Sequence, residues 1–446
     1  MNIAILDNAL DSVLSYKRPN SIKFIDLFAG MGGTRVGFEQ SLKEKEVEFE
    51  CVFTSELKDY AIDAYQCNFG NEKIHGDITK IDVGDIPDFD YLLAGFPCQP
   101  FSSAGKRLGF LDQRGGLFFT IFDILKEKKP NGFLLENVDA LTTHDNGKTL
   151  STIIKKLESL DYFVDFKILN SSDFGIPQVR KRVYILGHKN AKPKFDDSKK
   201  KFVPAKGFID YDSPFKESQF SQTLRKHFSK DELEGKSIKD KRGGKNNIHS
   251  WDIGLKGKVN KRQKDLLSDI LKKRRYKKWA EKKGIQWMDG MPLTLEEIKT
   301  FHDNKYLESD LSYLENLGYL KLEHPKDIEI IDGVKKRVYK LNCEKGYNIV
   351  AGKLSFPIAK ILEPDGLVPT IVATEVGKLA ISTDKGVRSI TIKEGLNFSG
   401  FPDWYSLDTI SYKNAFDLLG NTVMPPVIKY VTDTLIKVHN YSNASE

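Results

Sequence analysis

Three short stretches of this sequence carry side chains able to do chemistry, each at one end of an apolar run. Cys98 stands in Gly95-Phe96-Pro97-Cys98-Gln99-Pro100-Phe101-Ser102, where two prolines fix the backbone around a thiol. A thiolate at the carboxyl edge of a strand is a nucleophile; the same residue in apolar surroundings is an inert buried thiol. A Cys–His hydrolase would need a paired histidine, and the eight histidines are scattered, none in a hydrolase motif. Glu136, in Leu134-Leu135-Glu136-Asn137-Val138, is a carboxylate ending another apolar run. Burial there raises its pKa and lets it donate a proton; alternatively it caps the next helix. Gln178-Val179-Arg180-Lys181-Arg182 sets two arginines on one face of a strand start. They could clamp a phosphate and a base, or form a solvated edge.

A second set of residues suits ligand binding. Phe24-Ile25-Asp26-Leu27-Phe28-Ala29-Gly30-Met31-Gly32-Gly33 is an apolar strand running into a glycine turn and a helix, so the backbone can approach a ligand closely. The turn lacks the full GxGxxG pattern of a pyrophosphate site. Glu56, after the next apolar run, can accept from ribose hydroxyls, and Asp77 in Gly76-Asp77-Ile78 can accept from an adenine amino group. Each carboxylate could equally be a helix cap or a solvated loop residue. The set suits an adenosyl ligand without phosphates.

Such residues need a scaffold that gathers strand ends. Candidate strands are 23–28, 49–55, 91–94, 132–136, 163–169 and 182–187, with helices such as 34–44, 59–68 and 149–160 between them. Their alternation predicts an α/β fold with a doubly wound, mostly parallel sheet. After Lys189 the texture turns polar and lysine-rich; near Ile381 it changes back, and 391–398 and 412–437 read as helices rejoining the first domain. The expected organisation is a first domain over 1–190, an inserted smaller domain over 191–384, and a returning segment over 385–446.

Composition narrows the class. With 446 residues, 40% hydrophobic and 29% charged, the chain suits a soluble protein of more than one domain. No apolar run approaches the roughly 20 residues of a membrane span, and the first twenty residues do not read as a secretory signal. Cys51, Cys67, Cys98 and Cys343 show neither CxxC pairing nor metal-ligand spacing, so no metal is expected and a reducing cytosol suits them. The net charge of +7 is unevenly spread: Lys256–Lys283 holds thirteen Lys and Arg against three acids, leaving the rest of the chain at −3. A basic segment of this kind suits a polyanion.

The ordered motifs resemble those of the DNA (cytosine-5)-methyltransferase family, in the form of bacterial single-chain modification enzymes. They are Phe28-Ala29-Gly30-Met31-Gly32-Gly33, Glu56, Gly76-Asp77-Ile78, Pro97-Cys98-Gln99, Glu136-Asn137-Val138 and Gln178-x-Arg180-x-Arg182. Arg388-x-x-Thr391-x-x-Glu394 through Gly400-Phe401-Pro402, and Gly420-Asn421-Thr422-Val423, follow in family order. The last has Thr where the family usually has Ser, and the hydroxyl is kept. The resemblance covers roughly 22–190 and 385–437.

The resemblance implies a class I methyltransferase fold using S-adenosylmethionine, with double-stranded DNA as substrate. Phe28 would lie against the adenine, with Gly30, Gly32 and Gly33 at the turn. Glu56 would hold the ribose and Asp77 and Ile78 the adenine; Pro97 and Leu117 would flank the cofactor, and Asn421 and Val423 would reach its methionine end. Cys98 would add to cytosine C6, Glu136 would bond N3 and the exocyclic amine, Arg182 would hold O2, and Arg180 would position a phosphate or the catalytic loop. Such geometry requires the base to be flipped out of the duplex. Ser102–Gly116 resembles the loop that closes over it, and Gln99, Ser102, Arg114 and Gln178 would meet DNA. The expected protein is a cytoplasmic, prokaryotic monomer, nucleoid-associated when bound to DNA, with no membrane contact and a restriction endonuclease as functional counterpart. The rival enzyme is a tRNA cytosine-5 methyltransferase, though that branch has a compact recognition region. The rival from another class is an inactive DNA-binding relative, against which intact Cys98 and Glu136 speak.

The family leaves the inserted region open. A basic helix over 265–279, a helix over 294–302, and a helix with Leu307, Leu311 and Leu314 at i, i+4, i+7 are expected there. Two strands, 319–323 and 337–342, would flank a loop at 325–336, giving a winged helix-turn-helix over about 290–342; the alternative is an irregular lobe whose helices merely pack together. Lys272 and Lys273 would meet phosphates, and Ser312, Tyr313 and Asn316 would face a groove.

Overall fold

A computed structural model describes residues 21–97, 116–196, 201–215, 217–286, 290–331, 333–351, 356–373 and 378–441, with side chains described as far as 437. The chain divides into two compact units. The first is Met1–Ile209, Asp365–Val376 and Thr391–Glu446; the second is Asp210–Pro364 and Gly377–Ile390. Residues 365–376 therefore return to the first unit before the 384/385 boundary expected from sequence.

The first unit is built on a seven-stranded sheet of β1 (Ile22–Leu27), β2 (Phe49–Ser55), β3 (Ile74–His75), β4 (Tyr91–Gly95), β5 (Gly132–Val138), β6 (Phe163–Asn170) and β7 (Lys181–His188). Their order is β3-β2-β1-β4-β5-β7-β6. The pairs up to β4–β5 are parallel, while β7 runs antiparallel to both neighbours. Buried parallel strands have no polar face, which is why β1, β4 and β5 read as nearly unbroken apolar runs. Alternate residues serve opposite faces. Ile25, Leu27, Leu92, Ala94, Phe133 and Leu135 join one core cluster, while Phe24, Tyr91, Leu93 and Leu134 join the other.

Helices α1 (Gly33–Glu44), α2 (Asp59–Phe69), α3 (Gly116–Lys128) and α4 (Lys148–Glu158) connect the strands. Phe118, Ile121, Ile124, Leu150, Ile153 and Leu157 of α3 and α4 fill the first cluster. Phe38 and Leu42 of α1 meet Val427, Ile428, Val431 and Leu435 in the second. The helix expected over 412–437 is two helices, Tyr412–Asn421 and Pro425–Tyr441. Pro425 and Pro426 have no N–H to continue the first helix but suit the first turn of a second. The Thr391-x-x-Glu394 spacing is a capping box, with Thr391 and Glu394 each accepting from the other's backbone N–H.

In the second unit, Leu266, Leu267, Ile270 and Leu271 pack with Trp251, Ile298, Leu307, Leu311 and Leu314. The basic helix is interrupted: Lys261–Lys273 ends at Arg274 and Lys278–Lys282 follows. Lys272 is exposed and Lys273 half-buried. In the helix Leu307–Asn316, Ser312, Tyr313 and Asn316 are exposed. Its Asp310 is buried and takes a bidentate bond from Arg262, at 2.6 and 2.9 Å.

The two strands expected to form a wing are not partners. Leu320–Glu323 pairs with Gly346–Ile349, and the expected loop forms a hairpin with the start of the second expected strand, Lys326–Ile331 against Val334–Tyr339. Asp332-Gly333 between the two arms is a two-residue turn sequence flanked by alternating residues.

Candidate active site

In an open α/β sheet, ligands bind beyond the carboxyl ends of the strands, where the strand order reverses. Here that point lies between β1 and β4. A cavity of about 600 Å³ lies there, within the range of small-molecule sites. Phe28, Gly30 and Gly33 line it after β1, Glu56 after β2, Asp77 and Ile78 after β3, and Pro97 after β4. Leu117, Glu136, Arg180, Arg182, Asn421 and Val423 complete the set of expected residues on its wall. Gly32 is not on the wall. Cys98, Gln99, Ser102 and Arg114 lie outside the described residues.

The glycine turn is shaped by close approach. A Cβ on Gly33 would come within 2.7 Å of the Thr422 hydroxyl oxygen and 2.9 Å of the Val423 carbonyl, so only glycine lets the 421–423 turn close against the start of α1. Glu56 is oriented by three backbone N–H groups: Gly30 donates to Oε2 at 2.7 Å, and Leu57 and Lys58 donate to Oε1 at 2.9 Å. A carboxylate offers about four acceptor sites, so Oε2 keeps one for a ligand. Asp77 accepts from the Thr79 hydroxyl at 2.7 Å and the Thr79 N–H at 3.1 Å, and the hydroxyl bond holds its pKa below the usual carboxylate value.

Beneath the turn, Asp26 of β1 is fully buried. The Tyr65 hydroxyl donates to its Oδ2 at 3.3 Å, while Oδ1 finds no partner among the described residues. Arg35 of α1 is nearby, held by Glu39 and Glu72 at 2.6 Å each. Burial pushes the Asp26 carboxyl up to about 7, with Arg35 pulling the other way.

The register of β5 and β7 builds the reactive wall. Glu136 pairs with Tyr184, and Val138 with Arg182. Arg182 thus stands diagonally across from Glu136 on the same face, and its Nε lies 2.9 Å from Glu136 Oε1. Burial raises the Glu136 pKa, against the pull of Arg182 and Arg180. Arg180, two residues earlier, is turned inward. Its Nη1 donates to the carbonyls of Ile371 at 3.2 Å and Gly420 at 3.1 Å, and burial with Arg182 beside it brings its pKa down to about 10.

Gln178 needs a correction. Expected at DNA, it is fully buried, and its amide is engaged internally. Its nitrogen donates to Phe398 O at 3.4 Å and Ser399 Oγ at 3.3 Å, and its oxygen accepts from Ile371 N at 3.2 Å. Sequence reasoning also passed over Lys58 on the cavity wall. Its Nζ lies 2.7 Å from Asp417 Oδ2, across 359 positions of sequence. The signal available was its place two residues beyond Glu56. Among the described residues no group of three or more His, Cys, Asp or Glu could hold a metal, and no helix is long and apolar enough to cross a membrane.

The sheet order and the cavity at its switch point are those of a class I methyltransferase fold. The S. pombe Dnmt2 methyltransferase shares that fold at a TM-score of 0.53 and 16% identity, over 94% of this chain and 99% of that one. The chain belongs to the family of C-5 cytosine-specific DNA methylases, whose model matches residues 22–437. It is 52% identical to the Type II methyltransferase M.NlaIV of Neisseria lactamica and 51% identical to M.NgoBV of Neisseria gonorrhoeae, in both cases over 93% of this chain and 99% of the relative. It is 39% identical to the Type II methyltransferase M.BanI of Aneurinibacillus aneurinilyticus, over 93% of this chain and 96% of that protein. Methylation of cytosine C5 in DNA is the activity of the family and of this chain.

Proposed function

We propose that the cavity binds S-adenosylmethionine and a cytosine flipped from duplex DNA, and that Cys98 is the nucleophile. The Glu136–Arg182 pair carries this reading, because it shares one cavity with Glu56, Asp77 and Pro97, the residue before Cys98. The donor set fits the cofactor: oriented carboxylates suit ribose and adenine, and none of the residues of the glycine turn is a cation for phosphates. Phe28, Gly30, Gly33, Glu56, Asp77, Ile78, Leu117, Asn421 and Val423 would hold it. When bound, the cofactor supplies an electrophilic methyl group.

The protein's own residues do the rest. The Cys98 thiolate forms a bond to C6 of the flipped cytosine, and electron density moves through the ring towards N3 and C5. Glu136, whose burial favours its protonated form, bonds N3 and the exocyclic amine as that charge develops. Arg182, fixed on Glu136, holds O2. Once C5 carries the new methyl, a base takes its proton and the C6–sulfur bond breaks, its electron pair leaving on sulfur and restoring the Cys98 thiolate. Flipping costs a few kcal/mol of unstacking. We read the chain as a cytoplasmic monomer that protects its cell's DNA alongside a restriction endonuclease, as the Type II naming of its relatives suggests.

The test uses duplex DNA containing 5-fluorocytosine. Wild-type protein should form a covalent complex that survives denaturation, since fluorine cannot leave as a proton does. Cys98→Ala should form none, yet still bind cofactor in calorimetry. Turnover by the alanine variant would remove Cys98 from the reaction. Methyl transfer to tRNA instead of DNA would favour the rival substrate.

A further inference from the structure

The hairpin Lys326–Ile331/Val334–Tyr339 is a sheet of two strands only. Its register sorts side chains onto two faces. Lys326 pairs with Tyr339, Ile328 with Arg337 and Ile330 with Lys335 on one; Asp327 pairs with Val338, Glu329 with Lys336 and Ile331 with Val334 on the other. Charge is divided unequally between them. Both described carboxylates, Asp327 and Glu329, lie on the second face, where Lys340 meets them at 3.9 and 2.8 Å. Of the hairpin's own described residues the first face holds three cations, Lys326, Lys335 and Arg337, and its acidic neighbour is at the base, where Glu323 accepts from the Tyr339 hydroxyl at 3.3 Å. Lys326 Nζ stands 4.4 Å from the centre of the Tyr339 ring. Lys335, Arg337 and Tyr339 are exposed, and Ile330, near the turn, is 71% exposed.

A ribbon face that is cationic at its edges, aromatic at its base and apolar near its tip does not serve a core. Its charge complements a polyanion, and a two-stranded ribbon is one of the shapes the major groove admits. We propose that this face of the hairpin is a contact surface for duplex DNA, with Lys326 and Lys335 on phosphates and the Arg337 guanidinium and Ile330 turned to base edges. The proposal rests on DNA being the substrate. It assigns to a ribbon part of the groove contact expected of the exposed residues of helix Leu307–Asn316.

Binding of full-length protein to a random-sequence 30-base-pair duplex, followed by anisotropy across a salt series, tests it. Two charge-matched double variants are compared: K335A/R337A on the first face and K336A/K340A on the second. The first pair should weaken binding about tenfold or more at 0.1 M salt and flatten the salt dependence by about one phosphate contact, that of Lys335. The second should change affinity less than about threefold and leave the slope nearly intact. Cofactor binding by calorimetry, equal to wild type in both, shows that the fold is retained. Equal losses in the two pairs, or none in the first, would overturn the proposal. Wild-type protein that binds tRNA but not the duplex would overturn the substrate reading beneath it, a failure visible before any variant is made.

Discussion

Asp26 shows how a single buried group can tie stability to pH. Its carboxyl is pushed from 3.8 to about 7, because burial penalises the charged form more than Arg35 and Tyr65 favour it. The folded state therefore holds this proton more tightly than the unfolded chain does. Its contribution is fully present below about pH 4 and is lost as pH rises through about 7. Asp26→Asn removes the dependence. Urea unfolding at pH 5 and pH 8 should show the variant gaining on wild type by up to a few kcal/mol at the higher pH. Parallel behaviour at the two pH values would show that Asp26 ionises freely in the fold. Residues of this kind were partly legible in the sequence. Glu56, Asp77 and Glu136 end apolar runs, and a run's end is where a sheet presents its ligands. Gln178 was misread because nothing in a lone polar residue says whether its partners are water, DNA or the protein's own backbone. Here the partners are more than 190 positions away.

At the scale of elements, periodicity located β1, β2 and β4–β7 within a residue or two, since buried strands and amphipathic helices each have one repeat to obey. The boundaries that failed were set by particular residues. Pro425 divided one expected helix, and Lys326–Ile331 pairs with Val334–Tyr339 across the expected loop and into the strand expected after it; the proline pair and the Asp-Gly turn signal both stand in the sequence. Other joins could not be read at all. The approach to β7 is laced to a distant strip: Val179 N donates to Val368 O at 2.9 Å, and the Thr370 hydroxyl donates to Val179 O at 2.6 Å. Gln178 locks the same strip through Ile371. Gln178→Ala strands a buried N–H and should cost about 1–3 kcal/mol in denaturant unfolding. Because Arg180 is held by the same strip, methyl transfer should fall further than stability alone explains. Gln178→Glu, which keeps the acceptor, should recover part of it. A neutral Gln178→Ala, in both stability and rate, would mean the lacing is incidental.

The whole molecule carries its positive charge in one stretch of the second unit and its chemistry in the first. That division was visible in composition before any fold was known. The number of times the chain passes between the units was not. It crosses after Ile209, after Pro364, after Val376 and after Ile390. The short strip 365–376 is thus the first unit's own, though it is flanked on both sides by the second. A Cβ on Gly420 would meet Ala373 N at 2.2 Å, so the strip presses directly on the turn that leads into Asn421. This bears on how the second unit can be exchanged between relatives. A graft that replaces 210–390 as one cassette imports a foreign strip along with the donor's second unit. It must refit Gln178, Arg180 and Gly420 to that strip. A two-piece graft, exchanging 210–364 and 377–390 while keeping the native 365–376, leaves those contacts intact. With a relative about half identical as donor, the two-piece chimera should keep wild-type cofactor affinity in calorimetry, and the single-cassette chimera should lose it by several-fold. Equal affinities would show that the strip is interchangeable. The second unit of this protein is then encoded not by one continuous stretch of gene but by two, separated by a dozen codons that belong to the first.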